Sequence, residues 1–161
     1  MAGSGRRLFV AMAMVTLILD QLTKAAASAW LAPRDAVTII PGFLDLAYVR
    51  NTGAVFGMFR SLADPWRTLI LTLVPLLALA LVIAMSLRTP PARLRVQGAL
   101  GCILGGALGN LLDRLRLSSV VDFIEIYVGR YHWPNFNAAD SAICVGVGLL
   151  ILDMWRTTED S

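Results

Sequence analysis

Four apolar runs of helical length limit what this chain can become more than any motif in it: Leu8 to about Leu31, Trp66 to Leu87, Leu94 to about Leu112, and about Ala138 to Trp155. At ~1.5 Å per residue, each matches or approaches a hydrocarbon core of ~30 Å. A backbone immersed in lipid must satisfy its own hydrogen bonds, so such runs are expected to be helices. Of the 161 residues, 57% are hydrophobic and 16% charged, whereas soluble domains are about one-quarter charged. The reading is a mainly α integral membrane protein, a single membrane domain over residues 1–161 with four transmembrane helices. The formal charge of +3 is dispersed, without the clustered Lys/Arg face of a nucleic-acid binder, so nucleic acid is excluded as a partner. Cys102 and Cys144 lie inside apolar runs, where a thiol acts as a small hydrophobe. With His132 the single histidine, there is no metal-ligand spacing, and neither a metal nor a cofactor is expected.

The first span follows Arg6 and Arg7 and is interrupted by Asp20 and Lys24. A basic start, an apolar middle and the small residues Ala25 to Ala29 also fit a cleavable signal; the polar pair and the three later runs favour a span. Asp20 and Lys24 are one helical turn apart and can pair, facing protein or water. The alternative is an ion pair with Lys24 snorkelling outward. Residues 33–64 form a polar, β-prone insert: Val37 to Ile40, a Pro41-Gly42 turn, then Phe43 to Val49, which suggests a hairpin. Asn51 and Gly53 read as turn residues, and Val55 to Phe59 as a short apolar piece along the membrane surface. Pro75 is a possible kink in the second span. In the third, Gly101, Gly105 and Gly109 recur every four residues, a smooth face for close packing. Asn110, Asp113 and Arg114 share one side at its end, fit either to orient other groups or to bond to one another. Tyr131 to Pro134 reads as an aromatic loop at the membrane interface.

Two carboxylates stand at the edges of the apolar sequence, Asp122 and Asp140. Asn137 is a favoured N-cap, so it should start the last helix and put Asp140 in its first turn, where the dipole favours the ionised form. Asp122, in a β-prone apolar segment, should hold its proton more readily. Carboxylates of unequal pKa form an acid/base pair able to activate water. A plain helix cap accounts for Asp140 without chemistry, and Glu125 is close enough in sequence to be the second carboxylate instead. Four spans put both termini on one side. Basic residues are dense in the short pieces (Arg6, Arg7, Arg88, Arg93, Arg95, Arg156), which places the termini in the cytoplasm and the two carboxylates near the outer surface.

Five blocks occur in order: Asp20-Gln21-Leu22-Thr23-Lys24; Asn51-Thr52-Gly53-Ala54; Gly105 to Asn110 with Asp113-Arg114; Val120-Val121-Asp122-Phe123; and Phe136-Asn137-Ala138-Ala139-Asp140-Ser141. On these, over nearly its whole length, the chain resembles lipoprotein signal peptidase, the membrane aspartic peptidase family also called signal peptidase II. The resemblance implies four transmembrane helices with a small extracytoplasmic β-cradle and a short surface helix. It also implies an inner-membrane enzyme of bacteria that cleaves diacylglyceryl-modified prolipoproteins on the amino side of the lipidated cysteine. Asp122 and Asp140 match the catalytic pair, and Asp20, Lys24, Asn51, Gly53, Asn110, Arg114 and Asn137 match positions that shape the site; Glu125 matches none. Membrane lipid is the further partner implied, and a globomycin-like cyclic peptide is the inhibitor expected.

Two rivals are weighed. Lys24 could act as a base toward Ser28, four residues on, although Asp20 would keep it charged. A small four-helix transporter could line an ion path with Asp20, Lys24 and Asn110, but it shows no internal repeat and does not need the large insert.

Overall fold

The structure, a computed structural model, describes residues 3–53 and 64–159. These contain helices α1 (Ser4–Leu31), α2 (Asp64–Arg88), α3 (Leu94–Leu117) and α4 (Ala138–Glu159). Strands β1 (Val37–Ile40), β2 (Leu44–Asn51), β3 (Val120–Val128) and β4 (Tyr131–His132) complete them. The surface piece expected at Val55 to Phe59 lies outside the described residues.

Among the described residues three helical stretches are long and apolar enough to cross a membrane: Ser4–Leu31, Leu69–Arg88 and Ala138–Arg156. α3, expected as a fourth, is not among them. It continues past Leu112 to Leu117, and its glycines together with Gln97, Asn110 and Asp113 dilute its hydropathy. Its position explains why such a sequence is tolerated. α3 packs against α1, α2 and α4, so much of its surface meets protein instead of lipid, and Ala99 and Leu100 are wholly buried. α2 runs through Pro75 without ending.

The glycine face expected on α3 is a close-approach surface. A Cβ at Gly101 would lie 2.5 Å from the Phe9 carbonyl oxygen, and one at Gly105 would strike the Ala13 carbonyl, both on α1. Gly106, on another side of α3, is equally tight against the Ala139 carbonyl of α4. Backbone cannot yield as a flexible side chain can, so Gly105→Leu should destabilise the fold by about 3 kcal/mol or more. Gly148, with nothing within 4 Å of its Cβ position, is the control: Gly148→Leu should leave the melting temperature in detergent unchanged or raise it.

One end of the bundle gathers the short basic pieces around Arg6, Arg88 and Arg93. Arg6 of α1 donates to the Leu87 carbonyl of α2 at 3.2 Å, and Arg93 pairs with Asp153 of α4. Between α2 and α3, the wholly buried Gln97 donates to the carbonyls of Ser86 and Thr89 and accepts from the Ser86 hydroxyl at 2.7 Å. The sheet sits at the opposite end.

That sheet is antiparallel in the order β1-β2-β3-β4. The hairpin expected from Val37 to Val49 is present, its turn at Gly42 in the left-handed region (φ 77°) that glycine favours. β2 runs two residues further than expected, to Asn51, and there it pairs with the start of β3: Asn51 opposite Val120, Val49 opposite Asp122. Tyr131 and His132, expected in a loop, are instead strand, paired with Val128 and Tyr127. α3 passes into β3 through Ser118, itself left-handed (φ 55°). Arg50 secures that corner, donating to the Ser119 hydroxyl at 2.9 Å and the Leu117 carbonyl at 2.6 Å.

Candidate active site

Asp122 stands on β3 and Asp140 in the first turn of α4, and Asn137 joins them. Its side-chain oxygen accepts the Asp140 N–H at 3.0 Å, and its own N–H donates to Asp140 Oδ2 at 3.3 Å. This is the reciprocal cap expected from the spacing. Asp140 does more than cap, because its other oxygen accepts a 2.7 Å bond from Asn110 Nδ2. The Asn137 amide nitrogen also donates to Asp122 Oδ1 at 2.8 Å, so one residue holds both carboxylates.

The orientation of three amides follows from groups that can only donate. The Lys24 ammonium donates to Asn110 Oδ1 at 2.9 Å, which turns the Asn110 NH2 toward Asp140. The Gly53 N–H donates to Asn51 Oδ1 at 3.0 Å, which turns the Asn51 NH2 toward Asp122 Oδ2, also at 3.0 Å. The Asp140 N–H does the same for Asn137. Asn51 and Gly53 are therefore turn residues, as expected, and also part of the site. Burial pushes the Asp122 carboxyl up to about 6; the amides of Asn51 and Asn137 hold it down in part, and the charge of Asp140 raises it.

Behind this layer lies a buried ionic hub. Lys24 bonds to Asp20 at 2.9 Å and Asp113 at 3.0 Å; Lys24 is 3% exposed and Asp20 0%. The lysine does not snorkel outward. Its Nζ is engaged by Asp20, Asp113 and Asn110, an arrangement that does not offer it to Ser28 as a base. Each carboxylate of the hub also grips the backbone just before a site aspartate. Asp113 accepts the Val121 N–H at 3.1 Å, and Asp20 accepts the Ala139 N–H at 3.0 Å. Gln21 closes the hub, donating to Asp20 and Asp113 at 3.1 Å each. Asp113, one of the three residues expected on one side of the α3 end to orient other groups, does so here; Gln21 lies in a matched block, but its role depends on a contact 92 positions away in sequence.

Asp122 and Asp140 line a cleft of about 990 Å³, with Asn51, Asn110 and Arg114 as further polar walls and Val49, Phe136 and Ile143 as apolar ones. Asp20 and Lys24 lie behind it. Glu125 also reaches the cleft, but it is engaged with His132 at 2.9 Å.

A family model for signal peptidase II matches residues 12–156. The chain is similar to the lipoprotein signal peptidase of Syntrophus aciditrophicus, 41% identical over 155 residues covering 95% of each chain. It is also similar to that of Symbiobacterium thermophilum, 44% identical over 151 residues covering 91% of this chain and 93% of the relative. A solved bacterial membrane enzyme superimposes with a TM-score of 0.81 at 29% identity, covering 95% of this chain and 90% of that one. A second gives 0.79 at the same identity, covering 91% of each. A family match across most of the length, with relatives at this identity and coverage, places the chain in the signal peptidase II family, as a membrane-bound peptidase of prolipoprotein signal peptides.

Proposed function

We propose that Asp122 and Asp140 are the groups with which this peptidase hydrolyses the bond between signal peptide and lipidated cysteine. The observation that supports this best is the convergence of three amides, each with its oxygen pinned, on two carboxylates at the wall of one cleft. Asp140, ionised, takes a proton from water as the oxygen attacks the scissile carbonyl carbon. Asp122, protonated, donates to the carbonyl oxygen. As the tetrahedral species collapses, the C–N bond breaks, the proton held by Asp140 passes to the leaving amine, and a hydroxyl proton of the former carbonyl carbon returns to Asp122. Burial favours the neutral form at Asp122, and Asp140 accepts from Asn110 and from the Asn137 N–H at the start of α4. Asn51, Gly53, Asn110 and Asn137 orient the pair, Asp20 fixes the backbone beside Asp140, Lys24 turns Asn110, and Arg114 offers a cation to the developing oxyanion from the cleft wall.

The substrate is a prolipoprotein whose cysteine carries a diacylglyceryl group, cut on the amino side of that cysteine. The apolar side of the cleft suits acyl chains, and a globomycin-like cyclic peptide would occupy the cleft between Asp122 and Asp140. α3 is the fourth crossing, its polar residues shielded by the other helices. Both termini then lie in the cytoplasm and the sheet at the outer face of a bacterial inner membrane, in keeping with the basic residues at the opposite end. A transporter has no comparable support, because Asp20, Lys24 and Asn110 are bonded to one another.

The test is cleavage of a synthetic diacylglyceryl prolipoprotein by the purified protein in detergent, read by mass. A product beginning at the lipidated cysteine is expected; cleavage elsewhere, or of unlipidated peptide equally well, would sink the reading. A neutral Asp122 also sets the pH dependence. Its folded pKa of about 6 is above the ~3.9 of a free aspartate, so its neutral form stabilises the fold fully below about pH 4. That contribution is lost as pH rises through about 6. The free-enzyme kcat/KM should fall through the same window, and a profile flat from pH 5 to 7 would contradict the assignment.

A further inference from the structure

The amides that orient the aspartates are all satisfied, and one cleft residue is not. Asn135 lines the cleft beside Asp140 and Ser141, yet its side-chain nitrogen is buried with no hydrogen-bond partner. Buried polar groups are bonded in the great majority of cases, so an orphan on a functional surface calls for an explanation.

Its backbone is firmly held. On one side the Trp133 N–H donates to the Ile126 carbonyl at 2.8 Å. On the other the Phe136 N–H donates to the Ile124 carbonyl at 3.1 Å, and the Phe136 carbonyl accepts from Phe123 and Ile124 at 3.0 and 2.9 Å. Asn135 is thus fixed on a segment anchored to β3 at both ends, two residues before the asparagine that holds both aspartates. A strained or mobile loop does not account for its missing bond.

We infer that Asn135 Nδ2, sealed in the free protein, is freed by a turn of its side chain on binding and donates to a neutral carbonyl oxygen of the bound lipopeptide, which makes Asn135 a specificity-determining residue of this cleft. The inference rests on the peptidase reading above. An N–H donor selects an acceptor, and the acidic groups already on the cleft wall, Asp122, Asp140 and Glu125, disfavour an anion. Carbonyl oxygens occur in two parts of the substrate, the peptide backbone and the acyl esters of the lipid. Either would relieve the desolvated donor on binding.

Such a donor has a signature that a structural asparagine lacks. Leucine has nearly the same shape and no donor, so Asn135→Leu removes an unsatisfied group from the free protein and a bond from the complex. The variant should melt a few degrees higher than the wild type in detergent. Its KM for the synthetic diacylglyceryl prolipoprotein should rise about fivefold to tenfold with kcat within twofold, the loss of about one hydrogen bond. Asn135→Asp, which puts an acceptor where the donor was, should raise KM at least as much. A substrate with ether-linked alkyl chains separates the two sources: the penalty persists if the acceptor is in the peptide and disappears if it is an ester. An Asn135→Leu variant that melts lower, fails to fold, or keeps the wild-type KM overturns the inference. Loss of cleavage in the wild type itself would instead strike the peptidase reading, while the melting comparison would still judge Asn135.

Discussion

Asp140→Asn, purified and folded, should cleave the diacylglyceryl prolipoprotein at least about 10³-fold more slowly than the wild type, and Asp122→Asn should do the same. Losing either member of a proton-transfer pair removes the step itself, and groups acting as a unit lose far more than additive amounts. The double variant should consequently be little worse than either single one. The substitution is not silent in the fold. Both oxygens of Asp140 accept hydrogen bonds, from Asn110 and from the Asn137 N–H, and an asparagine there must set its own NH2 against one of those donors. Asp122 is in the same position between Asn51 and Asn137. Each variant should therefore melt lower, by an amount corresponding to about 1–3 kcal/mol, while remaining folded. Near-normal cleavage by either one would remove the pair from the mechanism and leave Asp140 as a helix cap alone.

The largest stability effect is expected from Lys24→Met. Methionine fills much of the lysine's volume without its charge, leaving Asp20 and Asp113 as two carboxylates buried around a missing cation. Breaking a buried pair in this way typically costs about 3–5 kcal/mol, enough to unfold a marginal protein. Adding Asp20→Asn and Asp113→Asn should recover part of the stability, because the uncompensated charges are gone. Activity should return only in part, since Asn110 Oδ1 would keep the 3.2 Å bond from Asn137 Nδ2 but lose the 2.9 Å bond from the Lys24 ammonium. Thermal unfolding in detergent separates these outcomes, and a Lys24→Met protein melting within a degree or two of the wild type would show that the hub is not ionic.

Local spacing made part of this legible beforehand. Asn137 three residues before Asp140 announced the cap, Asp20 and Lys24 one turn apart announced their pairing, and the recurrent glycines of α3 announced close packing. What spacing could not supply was direction. Nothing in the periodicity of α3 says that it is surrounded by three other helices, so its polar residues could not be matched to partners and it was expected to be apolar enough to cross like the rest. Nor could a turn reading of Asn51 and Gly53 reveal that the turn aims an amide at Asp122, because the pairing of β2 with β3 joins residues 71 positions apart. Asn135 was invisible for the opposite reason: its interest lies in a bond it does not make.

The hub has a consequence for how the enzyme comes into being. Lys24 and Asp20 come from α1, Asn110 and Asp113 from α3, Asp122 from β3, and Asp140 from α4, and no two neighbouring elements together contain a working set. A ribosome delivering this chain into a bilayer would release α1 with a costly, half-matched charge pair, and nothing able to cut a peptide until α4 has docked. With Asp122 and Asp140 as the proposed catalytic pair, the protease is latent until its last helix docks.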